Sequence, residues 1–214
     1  MIGSIKIFAA IVLVAFVGSI FAFVLTLYLQ RIPGFSPLMT GLAFLPSGLG
    51  GVFGGQLANR AARCLGVRRA ALLGLGLIIV GAIVLTRIEA AGGAVRVITG
   101  YLIASVGVVC TLVLMSTTAM ASLQADLQGL AAGLLTTFQQ VGAALGTSLA
   151  SVVASTVARA IGGAPTLAAT TGYQAALYLA LALAVLASAF GLLHLQPSVP
   201  GMHRRHGHIT RKYC

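Results

Sequence analysis

Residues 7–29 read IFAAIVLVAFVGSIFAFVLTLYL, with no charged side chain among them. At about 1.5 Å of rise per residue, roughly 20 mostly apolar residues carry a helix across a bilayer core. This run meets that length. It also exceeds the roughly 7–15 apolar residues of a signal peptide, and no clear small-residue cleavage site follows it. It reads as a retained membrane-spanning helix.

Five further runs follow, at 38–57, 70–86, 97–117, 130–154 and 173–195. The third is the shortest. The fifth is the least apolar, because it holds Thr136, Thr137, Gln139 and Gln140. The chain has 214 residues, 59% of them hydrophobic and 7% charged, with a mean hydropathy of +1.06. Soluble domains carry about 25% charged residues. So little charge cannot cover a water-facing surface, whereas lipid asks for an apolar one. The expected fold is all-α and integral to the membrane. Residues 1–196 would form a six-helix bundle, and residues 197–214 a basic, disordered cytoplasmic tail.

The formal net charge is +11. In a soluble protein this would point to nucleic acid. Here the basic residues fall in gaps between apolar runs, which is the pattern of topology signals and anionic-lipid contacts. Six spans put both termini on one side. If that side is cytoplasmic, the inner segments hold Lys6, Arg60, Arg63, Arg68, Arg69, Arg204, Arg205, Arg211 and Lys212. The outer loops hold only Arg31, Arg87, Arg96 and Arg159. The excess favours cytoplasmic termini in a cell membrane.

The only acids are Glu89, expected in an outer loop, and Asp126, expected in an inner one. No titratable carboxylate lies within a span, so the chain by itself should not couple transport to protons. Cys64, Cys110 and Cys214 are odd in number and scattered. They give neither a disulfide framework nor metal-ligand spacing, and are expected as free thiols. The histidines of the tail sit in a solvated basic segment. No nucleophile–base set, phosphate loop or metal signature is present, so neither an enzyme nor a cofactor is expected.

The six runs divide into two triplets. The middle members open alike, with Gly41-Leu42-Ala43 in the second run and Gly129-Leu130-Ala131 in the fifth. Glycines recur four apart, at Gly50 and Gly54, Gly51 and Gly55, Gly129 and Gly133, and Gly142 and Gly146. Small residues four apart share one helix face and let backbones approach. In the fifth run the stripe continues through Ala150 and Ala154. Packing is the plain reading of these stripes, and a sliding interface that gates transport is the functional one. Pro46 removes a backbone hydrogen bond and is expected to kink the second helix.

Two segments carry a resemblance. One is Leu27-Tyr28-Leu29-Gln30, Gly34-Phe35-Ser36-Pro37-Leu38 and Gly41-Leu42-Ala43-Phe44-Leu45-Pro46. The other is Gly129-Leu130-Ala131-Ala132-Gly133-Leu134-Leu135-Thr136-Thr137-Phe138-Gln139-Gln140-Val141-Gly142-Ala143-Ala144-Leu145-Gly146. In order and spacing they resemble the C-terminal half of the fourteen-helix drug:proton antiporter branch of the major facilitator superfamily. Where that family has Asn and Arg, this chain has Thr136 and Gln139. A further segment, with Gly55, Asn59, Arg60, Gly66, Arg68 and Arg69, resembles the superfamily's cytoplasmic loop motif. There Asn59 replaces the family's acid, and the spacing before Gly66 is stretched.

The resemblance implies a 3+3 inverted-repeat half of the superfamily fold and multidrug efflux by alternating access, hence antibiotic resistance. It also implies a missing partner, either an N-terminal transporter half or a further copy of the chain. A non-transporting remnant or a scaffolding six-span subunit is the alternative. Candidate lining for a cavity that takes amphipathic organic compounds is Tyr28, Gln30, Met115, Phe138, Gln139 and Gln140, with Phe21, Tyr101 and Thr137 beside them. Gln139 and Gln140 point about 100° apart on a helix, so one is expected in the cavity and the other on a neighbouring helix. Pro46, Gly50, Gly54, Gly142 and Gly146 are the packing and gating candidates.

Overall fold

The computed structural model describes residues 2–88, 93–121, 128–162 and 164–194. They form six helices: α1 (Ile2–Arg31), α2 (Pro37–Leu65), α3 (Val67–Thr86), α4 (Ala94–Ala121), α5 (Gln128–Ile161) and α6 (Pro165–His194). All six are long and apolar enough to cross a membrane. The tail, Glu89 and Asp126 lie outside the described residues.

Local chemistry explains the helix starts. Ser36 caps α2 by accepting a hydrogen bond from the Met39 amide at 3.2 Å. Pro37 takes the first helical position, where its missing N–H costs nothing. Pro165 opens α6 in the same way. Serine and threonine hydroxyls inside the spans donate back to carbonyls three or four residues earlier. Thr26 donates to Ala22 at 2.6 Å, and Thr111 to Gly107 at 2.9 Å. Polar side chains are thereby satisfied without water.

The helices outrun the apolar segments. α2 continues to Leu65, well past residue 57, and α5 runs 34 residues where 130–154 was expected. At 1.5 Å per residue α5 is about 50 Å long, against a hydrocarbon core of about 30 Å. This corrects the reading of Gly55–Arg69 as a loop. Gly55, Asn59 and Arg60 lie on the last turns of α2, and Arg68 and Arg69 on the first turn of α3. The whole connection is Gly66, at φ 84°, whose N–H donates to Ala62 at 3.1 Å. Nothing before Gly66 breaks the helix, and Ala58, Ala61 and Ala62 favour it. Cys110 is a free, buried thiol. Cys64 is disulfide-bonded, which corrects the expectation of a free thiol there.

The packing is two-fold symmetric. Exchanging α1 with α4, α2 with α5 and α3 with α6 maps every helix contact onto another. α1–α5 goes to α4–α2, α1–α6 to α4–α3, and α2–α3 to α5–α6. The pairs α1–α4 and α3–α6 map onto themselves. Successive spans reverse direction, so α1 and α4 run opposite ways and the relation is an inversion, as a 3+3 inverted repeat requires. The middle helix of each triplet packs on the first helix of the other. α2 and α5 do not touch.

That interlock rests on small residues. α2 buries Thr40, Ser47, Gly50, Gly54, Ala58 and Ala61, and α5 buries Gly142, Gly146, Ala150 and Ala154 on one line. A Cβ on Gly54 would stand 2.6 Å from the Val106 carbonyl oxygen on α4. Gly142 stands in the same relation to the Val12 carbonyl on α1, at 2.5 Å. Gly50 meets Ser105, and Gly146 meets Ser19. Each is a close, parallel crossing that only small residues permit. Gly129, Gly133 and Gly55 meet nothing within 4 Å, so the spacing alone overstated the interface.

Candidate functional site

Because α2 and α5 stay apart, a cavity of about 580 Å³ opens between them, floored by α1 and α4. α1 contributes Gly18, Ser19 and Phe21, and α2 contributes Phe44, Ser47 and Gly51. α4 adds Tyr101, Ser105 and Leu112, and α5 adds Gln139, Gln140 and Ala143. None of the lining residues carries a charge.

One wall is aromatic. The Phe44 and Tyr101 rings stand 5.1 Å apart with a 54° interplanar angle, a tilted pair joining α2 to α4. The serines are already committed as donors. Ser47 donates to Phe44 at 2.7 Å and Ser19 to Phe16 at 2.8 Å. Ser105 reaches the Leu102 carbonyl at 2.8 Å and the Ser47 carbonyl across the helix pair at 3.1 Å. A hydroxyl has one proton, so these three offer a guest mainly lone pairs. The donors left over are the Gln139 and Gln140 amides and the Tyr101 hydroxyl, which have no hydrogen-bond partner among the described residues.

The sequence candidates divide accordingly. Both glutamines line the cavity, Gln139 half-buried and Gln140 exposed. The expected division, one amide in the cavity and the other on a neighbouring helix, is thus not what the structure shows. Phe21 and Tyr101 line it as well. Tyr28, Gln30, Phe138, Met115 and Thr137 are not among the lining residues. Tyr28 is fully buried, edge-on to Tyr173 at 6.5 Å, and its hydroxyl accepts from the Gly93 amide at 3.4 Å. Tyr173 is buried too. Met115 packs in a second core cluster with Cys110 and Leu114. Phe138 turns to the Phe8 ring at 5.2 Å, and Gln30 is half-buried. The helix passes through Pro46 unbroken.

Ser19, Ser47, Ser105 and Phe44 escaped sequence reasoning. Single hydroxyls in an apolar run look like packing residues. The available signal was the repeat, since Gly18-Ser19 and Ala104-Ser105 sit on helices the two-fold exchanges.

Around the cavity α2 and α5 present broad apolar faces. Leu49 and Phe53 are each 63% exposed, and Leu130 is 65% exposed. Only 22% of the spanning window of α2 or of α5 is buried, against 39% in α1, α4 and α6 and 50% in α3.

Comparison with known proteins agrees with this architecture. Residues 1–147 match the family model of the Major Facilitator Superfamily. A 126-residue segment is 36% identical to the puromycin resistance protein of Streptomyces alboniger, over 56% of this chain and 25% of that protein. The xylose transporter XylE of E. coli, in its inward-open conformation, superposes with a TM-score of 0.67 over 95% of this chain at 17% identity. The chain spans 50% of that transporter's length.

Proposed function

The chain belongs to the Major Facilitator Superfamily, and from that premise we propose that it is the C-terminal six-helix half of an efflux permease for amphipathic organic compounds. It is a multi-pass membrane protein of a transporter family. The observation that carries the finer reading is the cavity between α2 and α5, uncharged, aromatic on one side and lined with free amides on the other. Such a site suits varied organic molecules. The puromycin resistance relative supports drugs as the substrate class.

In this reading α2 and α5 are the helices that a complementary bundle covers. The bundle alternates between two seatings on their outward faces, exposing the cavity to either side of the membrane in turn. The cavity of this chain offers no group that titrates near neutral pH, so proton coupling belongs to the complementary bundle. The termini face the cytoplasm, and the basic ends of α2 and α3 lie at that surface. A scaffolding six-span subunit would use the same outward faces for a second copy.

The test has two arms. Radiolabelled puromycin should bind the purified chain in nanodiscs, and a Gln139→Leu, Gln140→Leu variant should bind it about tenfold more weakly. Liposomes holding the chain alone should show no proton-driven puromycin export. Export by the chain alone would sink the half-transporter reading, and absent binding would sink the cavity as a drug site.

A further inference from the structure

We infer that this bundle selects the uncharged, aromatic portion of a substrate, one that bears a carbonyl or amide group, and that it rejects charge within its own share of the cavity. The inference rests on the reading of the cavity as the substrate site.

Three observations combine. No lining residue is charged, so an ion placed here finds no counterion. Desolvating it without one is strongly unfavourable. The Phe44–Tyr101 pair offers ring faces and edges for a flat apolar group. The ring quadrupoles attract a cation only weakly beside that desolvation penalty. Finally, the serine protons are spent on backbone carbonyls, leaving the Gln139 and Gln140 amides and the Tyr101 hydroxyl as the donors of the lining. An amide side chain both donates and accepts. It therefore matches a neutral carbonyl or carboxamide edge, while the serine lone pairs take an N–H from the guest. A charged group on a longer substrate must then reach beyond these residues, toward whatever covers α2 and α5.

The test is an isosteric series: naphthamide, naphthoate and naphthylmethylammonium. Each is titrated on the complete chain in nanodiscs by saturation-transfer NMR, with empty nanodiscs subtracted. Naphthamide should bind at least about tenfold more tightly than either ion. Gln139→Leu, Gln140→Leu should abolish that preference. Helical circular dichroism and monodispersity check the variant's fold, and the wild-type series stands without it. If either ion binds as tightly as the amide, charge rejection is overturned while the cavity reading survives. If the variant keeps the amide preference, the assignment of the glutamines is overturned. If no naphthyl compound binds, both this inference and the cavity reading fall.

Discussion

Gly142 of α5 lies against the backbone of Val12 on α1, so closely that a methyl group on it would stand 2.5 Å from the Val12 carbonyl oxygen. The two-fold exchange reproduces this at Gly54 and Val106. In lipid, no hydrophobic gain separates a packed helix from a lipid-facing one, so close van der Waals contact must hold these pairs. Gly142→Leu and Gly54→Leu should each lower stability by about 1–3 kcal/mol through overpacking. Gly133→Ala, on the same helix but facing open space, should be neutral or should stabilise by about 0.5–1 kcal/mol. The chain has no tryptophan, so SDS-induced unfolding followed by far-ultraviolet circular dichroism is the measurement.

Ser105 ties α4 to α2 through the Ser47 carbonyl at 3.1 Å. Ser105→Ala removes that bond without creating a clash. Interhelical bonds of this kind average about 0.6 kcal/mol in membranes, and the loss should be of that size. A loss above about 2 kcal/mol would mean that the contact carries more than a single bond.

Gln174 of α6 donates to the Ile88 carbonyl, just beyond the end of α3, at 2.7 Å. Gln174→Leu leaves that carbonyl without its donor. Stability should fall by about 1–3 kcal/mol, and hydrogen exchange at Ile88 and its neighbours should quicken. Unchanged exchange there would show that the bond does not fasten the α3 end.

Topology can be checked independently of transport. Alkaline phosphatase fused after Gly34 or Gly162 should be active, and fused after Gly66 inactive, if the arginine-rich junction obeys the positive-inside rule. Neutralising Arg60, Arg63, Arg68 and Arg69 together should erode that difference. An active Gly66 fusion in the unaltered chain would reverse the assigned orientation.

Much of this fold is legible in the sequence. Apolar run length gives the six spans directly, because a bilayer core has a fixed thickness. The line Gly142, Gly146, Ala150 and Ala154 was visible as a four-residue stripe, and it is buried as a unit. The helix ends were not visible. Hydropathy marks where an apolar run stops, whereas α2 keeps its helix past residue 57 to Leu65. Nor could periodicity separate Gly50 and Gly54, which meet α4, from Gly129 and Gly133, which meet nothing. In the cavity the glutamines stood out because an amide is rare in a span. Tyr28 and Met115 drew attention by residue type alone, and tertiary packing took them into the core.

The junction at Gly66 leaves the second and third helices with no slack between them. Its φ of 84° is a conformation that side-chain-bearing residues seldom adopt. The pair therefore behaves as a bent strut with one elbow. Whatever nudges the Gly66 end of α2 is delivered to α3, and through it to the α4 and α6 helices that α3 leans upon. A disturbance entering at the arginines reaches the back of the bundle in one joint.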